Sequence, residues 1–327
     1  MIQKQSLAAL AALAALAVVT LTSTAPVQAQ AYPAKPIRLI VPFAVGGGAD
    51  ILGRLFAQKL YEQTGRTVVV DTRAGAGGNL GAELTAKAPA DGYTALFTTN
   101  SIAVNMSLYP KLAYNALTEL TPVALVANVP LILTVHPSVP VRTVKDLVAL
   151  AKKRPKGLNF GSNGSGTTSH LSGVLFGDLA GVTITHIPYK GAGAVMIALL
   201  SGEVDMGFVG AVGATPHLKA GKLRALAVTT AQRSSALPDI PTMAATFPGF
   251  DTDLWYAFFV PHGTPAPVLA KLYEEIQKAQ KDPTVLAAMA RDGAEPRNLG
   301  PEEFPAFFKK EVEKYGKLVK LAGAKPE

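Results

Sequence analysis

Two glycine-rich stretches stand where an apolar run hands over to a helical pattern: VPFAVGGGAD from Val41 to Asp50, and NFGSNGSGTTSH from Asn159 to His170. A loop at the carboxyl end of a parallel strand leads into a helix whose first N–H groups lack intrahelical partners. The macrodipole adds partial positive charge at that end. Together they favour a bound anion, and glycine removes the Cβ that would keep the anion away from the backbone. Pro42, Phe43, Ala44, Gly46, Gly47, Gly48 and Asp50 are therefore candidate ligand contacts in the first loop. Ser162, Asn163, Ser165, Gly166, Thr167, Thr168 and His170 are those in the second, where hydroxyls stand beside bare backbone. A lone loop of this kind fits a tight turn equally well. Two loops, one in each half of the chain, point instead to two helix beginnings aimed across one cleft, the usual place for a pocket.

Three further places join the candidates. His186–Gly193 (HIPYKGAG) is another strand-end loop, and Tyr189, Lys190 and Gly191 can line the same cleft or form a surface turn. Asp205 falls in an apolar strand pattern, where a carboxylate must be paired or hydrogen-bonded. Asn100 follows the third expected strand. His170, in the first turn of a helix, reads as a ligand donor or a cap partner rather than a base.

Other chemistry finds little support. Gly46–Ile51 and Gly75–Leu80 each lack the last glycine of G-x-G-x-x-G, and no P-loop or G-x-S-x-G elbow occurs. His136, His170, His186, His217 and His262 show no metal-ligand spacing. No cofactor, metal or catalytic residue is expected. The formal charge of +8 is diffuse, without the basic stripe and interleaved aromatics that nucleic acid would need.

The elements that position the loops alternate. Pro36–Pro42 reads as a buried parallel strand, Leu52–Leu60 as a helix ending at Gly65, and Thr67–Asp71 as a strand. A helix from Asn79 and a strand over Tyr93–Thr98 complete a βαβαβ unit, which implies a parallel sheet. Pro122–Val135, broken by Pro130, reads as two strands at a crossing between domains. Thr143-x-x-Asp146 looks like a capping box. Strands at Leu158–Gly161, Thr183–Ile187, Val204–Phe208 and Leu223–Thr229 follow, with helices after the first two. Asp251–Val260 reads as the return crossing, and the chain ends in helices at Pro265–Gln280, Pro283–Arg291 and Pro301–Lys320 with no strands of their own.

The first residues are separate. Lys4, an apolar stretch from Leu7 to Leu21 and small-x-small sites predict an export signal over residues 1–29, cleaved after Ala29 or Ala31. The stretch is short for a membrane span of about 20 residues. With no cysteine in the chain, the exported protein must rely on its core alone.

These residues resemble the solute-binding proteins of tripartite tricarboxylate transporters, the Bug family. The carriers are VPFAVGGGAD, AGAGGNLGAE with PADGYT, NFGSNGSGTTSH, HIPYKGAGA, LSGEVDMGF, LPDIPT and GPEEFPAFFKKEVEKYGKLVK, in order from about Tyr32 to the C-terminus. The resemblance implies an α/β, two-domain, periplasmic-binding-protein-like (type 2) fold with an interdomain cleft. Domain I would take residues 32–125 plus 255–327, and domain II residues 126–254. It implies that a ligand carboxylate is held by Pro42–Asp50 and Ser162–His170, partly through water. The family often has Pro where Val45 stands and Ser or Thr where Ala49 stands, so one polar contact is absent here. The expected protein is periplasmic and monomeric, binds a small organic carboxylate or amino acid, and delivers it to inner-membrane permease components. A ligand-sensing partner of a two-component receptor and an exported hydrolase are the alternatives.

Overall fold

The computed structural model describes residues 32–326, apart from 155–156 and 292. The export signal expected over residues 1–29 lies outside them. Every element below falls within the unit Lys35–Glu327, which is distinct from the unit Met1–Ala34.

β1 (Ile37–Val41) pairs in parallel with β2 (Val68–Thr72) on one side and with β3 (Thr94–Thr99) on the other. Its apolar run fits a strand covered on both faces. The crossover between β1 and β2 is α1 (Gly48–Thr64), stopped by Gly65 in the left-handed conformation at φ 66°. α2 (Asn79–Ala86) connects β2 to β3. α3 (Ser101–Leu108) and the short α4 (Ala116–Glu119) then lead into β4 (Leu120–Val129). Pro130 has no N–H to donate, and the ladder stops there. The chain passes at once into β5 (Leu131–Val135), in a second sheet.

That second sheet is assembled from α5 (Val144–Lys153), β6 (Asn159–Ser162), α6 (Thr168–Ala180), β7 (Thr185–Pro188), α7 (Ala192–Ser201), β8 (Met206–Gly210), α8 (Ala211–Lys219) and β9 (Arg224–Val228). Its strand order is β7-β6-β8-β5-β9. The capping box at Thr143 forms in full, with Thr143 Oγ1 accepting from Asp146 N and the Asp146 carboxylate accepting from Thr143 N. The chain returns through β10 (Leu254–Pro261), which inserts antiparallel between β3 and β4. α9 (Ala266–Gln280), α10 (Pro283–Arg291), β11 (Glu295–Leu299) and α11 (Phe304–Ala322) finish the first half. The first sheet runs β11-β4-β10-β3-β1-β2.

Four elements depart from the sequence reading, the four-residue α4 among them. β11 (EPRNL) carries Pro and charge because it is an edge strand, paired only to β4, so its pattern is weak. α3 (SIAVNMSL) has no polar face: Ile102, Ala103, Val104, Asn105 and Leu108 are all buried, and the stripe that marks a surface helix is missing. α8 was also unmarked, and it carries Pro216 in its interior.

Aromatic packing holds the first half together. Trp255 meets Phe304, Phe307 and Phe308 at ring-centroid distances of 6.1–6.4 Å. On the other face of the sheet, Phe56 of α1 packs edge-on to Phe258 at 5.2 Å. Each fully buried Phe of this kind contributes roughly 1.5–3 kcal/mol. α11 touches α3 of the first half and α6 of the second, so the terminal helix spans the two.

Candidate functional site

A cavity of about 470 Å³ opens between the two halves. The first half supplies Ala76 and Gly77, the turn Thr99-Asn100-Ser101, and Val104, Asn105, Leu108 and Tyr109 of α3 with its end. The second supplies the loop from Asn163 to Ser169, at the start of α6. Leu131 and Leu254, from the two crossings, close the floor, and Pro326 stands at the wall. None of the lining side chains is Asp, Glu, Lys, Arg or His. The beginnings of two helices, α3 and α6, thus border one space lined by polar and apolar side chains together.

The second loop is built to hold its shape. Thr167, the N-cap of α6, accepts from His170 N through its side chain. Asn163 N donates to Ser169 Oγ at 2.9 Å, and Gly166 N donates to His170 Nδ1 at 3.0 Å. His170 therefore caps the loop and must be neutral to accept. Burial, then the neighbouring His186, pushes its imidazole down to about 4. The two imidazoles stack with centroids 3.7 Å apart, and Phe160 lies 4.9 Å from His186. Ser162 Oγ and His186 Nε2 are 2.6 Å apart. Gly166 needs φ +74°, and any Cβ there would lie 2.7 Å from Leu108 Cδ2 across the cavity. Asn163 has a buried Oδ1 that accepts no hydrogen bond from the described residues.

Of the residues expected from the sequence, Asn100, Asn163, Ser165, Gly166, Thr167 and Thr168 line this cavity. The structure places the others elsewhere. Ala44, Gly46 and Gly47 are exposed, whereas Gly48 is half-buried at the start of α1. Pro42 and Phe43 back the glycine turn: a Cβ at Gly78 would lie 3.5 Å from Pro42 Cγ and from Phe43 Cζ. Asp50 is buried and serves its own loop, accepting from Gly46 N at 3.0 Å and from Arg54 Nε. Burial raises its carboxyl, but Arg54 and the Gly46 N–H outweigh that and hold it below the usual carboxylate value.

His170 and Ser162 sit behind the cavity loop. Tyr189 donates its hydroxyl to Glu203 and its N–H to Ser162 O, while Lys190 is exposed. Gly191 N donates to Asn163 O at 3.2 Å, tying this loop to the cavity loop from outside. Asp205 exchanges hydrogen bonds with Asn159, its carboxylate accepting from Asn159 N and its N–H donating to Asn159 Oδ1, both at 2.8 Å. Asp205 is half-buried, and this pairing satisfies its carboxylate.

Residues of α3 were the main omission. With no amphipathic stripe, the sequence does not mark this helix.

The fold and cleft define a type 2 periplasmic-binding-protein-like α/β protein. Solved structures of that kind match along most of the chain. An R. palustris protein solved with adipate is 37% identical, with a TM-score of 0.74, covering 90% of this chain and 100% of that one. MatC from Rhodopseudomonas palustris, solved with bound malate, is 30% identical with a TM-score of 0.69, covering 88% of this chain and 100% of that one. Protein BugT of Bordetella pertussis is 38% identical over 304 residues, 92% of this chain and 93% of its own. Residues 52–324 match the family described as "Tripartite tricarboxylate transporter family receptor", and the chain belongs to that family. It is a solute-binding protein of the tripartite transporter class.

Proposed function

We propose that this protein is exported to the periplasm, captures a small organic carboxylate or amino acid between its two halves, and delivers it unchanged to inner-membrane permease components. The observation that carries this reading is a cavity bordered by two helix beginnings from different halves, with no charged side chain in its lining. Neutral donors orient an anion without a buried countercharge, whose desolvation is costly. Adipate and malate in the two solved relatives support the carboxylate class. Among the described residues no helix is long and apolar enough to cross a membrane. Residues 32–125 with 255–327 and residues 126–254 act as two bodies, and ligand contact with both biases closure. The glycine loop at Ala44–Gly48 belongs to the site through that closure.

A thermal-shift screen over mono-, di- and tricarboxylates, aromatic acids and amino acids tests the proposal. A ligand at a hundred times its Kd stabilises by about 2.7 kcal/mol. The expected result is a concentration-dependent rise in melting temperature for one chemical group of acids, recovered unaltered by mass spectrometry. No shift with any acid, or recovery of a product, would overturn it.

A further inference from the structure

Asp253 is 1% exposed, and neither of its carboxylate oxygens accepts a hydrogen bond from the described residues. It sits in the return crossing, one residue before β10. It borders a cavity of about 280 Å³, separate from the cleft, together with Asn128, Thr230–Arg233, Asp251 and Glu295–Arg297. The cavity thus lies between the loop after β9 in the second half and β4 and β11 in the first.

The charged groups around the carboxyl are of both signs. Asp251 shares its crossing, Glu295 and Arg297 come from β11, Glu311 and Lys314 from α11, and Arg233 from the loop after β9. Arg297 Nη1 stands 3.9 Å from Asp253 Oδ2, beyond hydrogen-bonding distance. An ionised carboxylate is disfavoured at a buried position whose nearest cation stands 3.9 Å away, outside hydrogen-bonding distance.

The other end of the same residue reaches the cleft. The Asp253 carbonyl accepts from Asn100 Nδ2 at 3.3 Å and from the Tyr315 hydroxyl at 3.1 Å. Asn100 Nδ2 also lies 2.9 Å from Thr168 Oγ1, at the start of α6. Displacing Asp253 therefore displaces the donor that joins the two halves on the cleft floor.

We propose that Asp253 is a proton-operated positioning residue for the cleft. Its buried, neutral carboxyl holds the present arrangement of the halves. Loss of its proton to water favours a second arrangement in which the carboxylate reaches Arg297 or solvent. Burial, then the Asp251 charge, pushes this carboxyl up to about 7, with Glu311 adding to the rise and Lys314 and Arg297 opposing it. Above the midpoint, each pH unit shifts the balance about tenfold toward the ionised arrangement, because only that arrangement tolerates the charge.

This inference rests on the two-body reading of the proposed function, and the experiment separates the two. Trp255 is the only tryptophan, two residues from Asp253, so its fluorescence reports the titration. The chain has no cysteine, so spin labels can be placed at Tyr61→Cys on α1 and Ile197→Cys on α7, positions 53% and 70% exposed in different halves. We expect a fluorescence transition between pH 6 and 8, a change in label distance with the same midpoint, and loss of both in Asp253→Asn. Arg297→Gln, which keeps the carboxyl, moves both midpoints up. A distance that ignores pH, or a pH response equal in wild type and Asp253→Asn, overturns the inference. Should Asp253→Asn fail to fold, unmoved midpoints in Arg297→Gln overturn it as well. Adding adipate, then malate, to the labelled protein at fixed pH tests closure itself, so the cleft reading stands or falls separately.

Discussion

Asn100 Nδ2 lies 2.9 Å from Thr168 Oγ1, so the turn before α3 in the first half is hydrogen-bonded to the first residue of α6 in the second. The bond crosses the cleft between the two helix beginnings that border it. Asn100 is itself held from behind by the Tyr315 hydroxyl at 2.9 Å. Thr168→Val keeps the shape and deletes the acceptor. A hydrogen bond of this type is worth about 1 kcal/mol net, roughly fivefold in affinity. Titration calorimetry with the acid found by the thermal screen should show that loss with little change in the apo melting temperature. Unchanged affinity would mean that the contact plays no part in holding the bound state.

Gly166 and Leu108 form a steric contact across the same cleft. Alanine at 166 meets two penalties: a φ of +74° and a Cβ 2.7 Å from Leu108 Cδ2. Together these should lower stability by about 1–3 kcal/mol in denaturant melts. The strained backbone remains when Leu108 is cut to Ala, but the clash goes. The double variant Gly166→Ala/Leu108→Ala should therefore lose less than the sum of its single variants. Strict additivity would place the whole effect in the backbone conformation.

Elements with a clear period were legible. The β1–α1–β2 unit, the break at Pro130 and the Thr143 capping box each follow from local chemistry, and each forms. The loop over Asn163–Thr168 was legible as a polar helix entrance and lines the cleft. What the sequence concealed is burial from every side. α3 lies in the core cluster with the aromatic residues of α11, so tertiary packing replaces the amphipathic stripe that would have marked it. The roles of Asp50 and Asp205 were hidden for a related reason. A carboxylate aimed at a ligand and one aimed at its neighbour's N–H look alike until the fold brings Gly46 and Asn159 to them.

Asp50 supports the first glycine loop rather than acting as a free charge. Asp50→Asn removes the partner of Arg54, which is half exposed, so the loss at neutral pH should be modest, about 1–2 kcal/mol. The folded carboxyl sits below its unfolded value, so its contribution is present above the ordinary carboxylate range and disappears as pH falls through the lowered value. Urea midpoints of wild type and variant should differ at pH 7 and converge toward pH 3. A gap that persists in acid would assign the effect to lost packing.

His170 provides the opposite test in the second loop. Its imidazole is pushed down to about 4 by burial and then by His186, while an unfolded histidine titrates near 6.5. As pH falls from about 6.5 toward 4, the unfolded chain takes up a proton that the native Nδ1, occupied by Gly166 N–H, refuses. Stability from this group therefore declines with acidification across that window, by at most about 3 kcal/mol. Asp253 acts in the other direction, because its raised folded value makes stability fall as pH rises between about 4 and about 7. The two tendencies partly cancel in wild type, so the raw pH curve is uninformative and the difference between variants is what matters. His170→Asn removes the titration and leaves a side chain able to accept from Gly166 N. Subtracting its urea-melt stabilities from wild type at pH 7, 6 and 5 should give a difference that shifts against wild type as pH falls. Parallel curves would show that His170 titrates in the native loop as it does in the unfolded chain, and the Gly166 N–H would then lose its acceptor within that window.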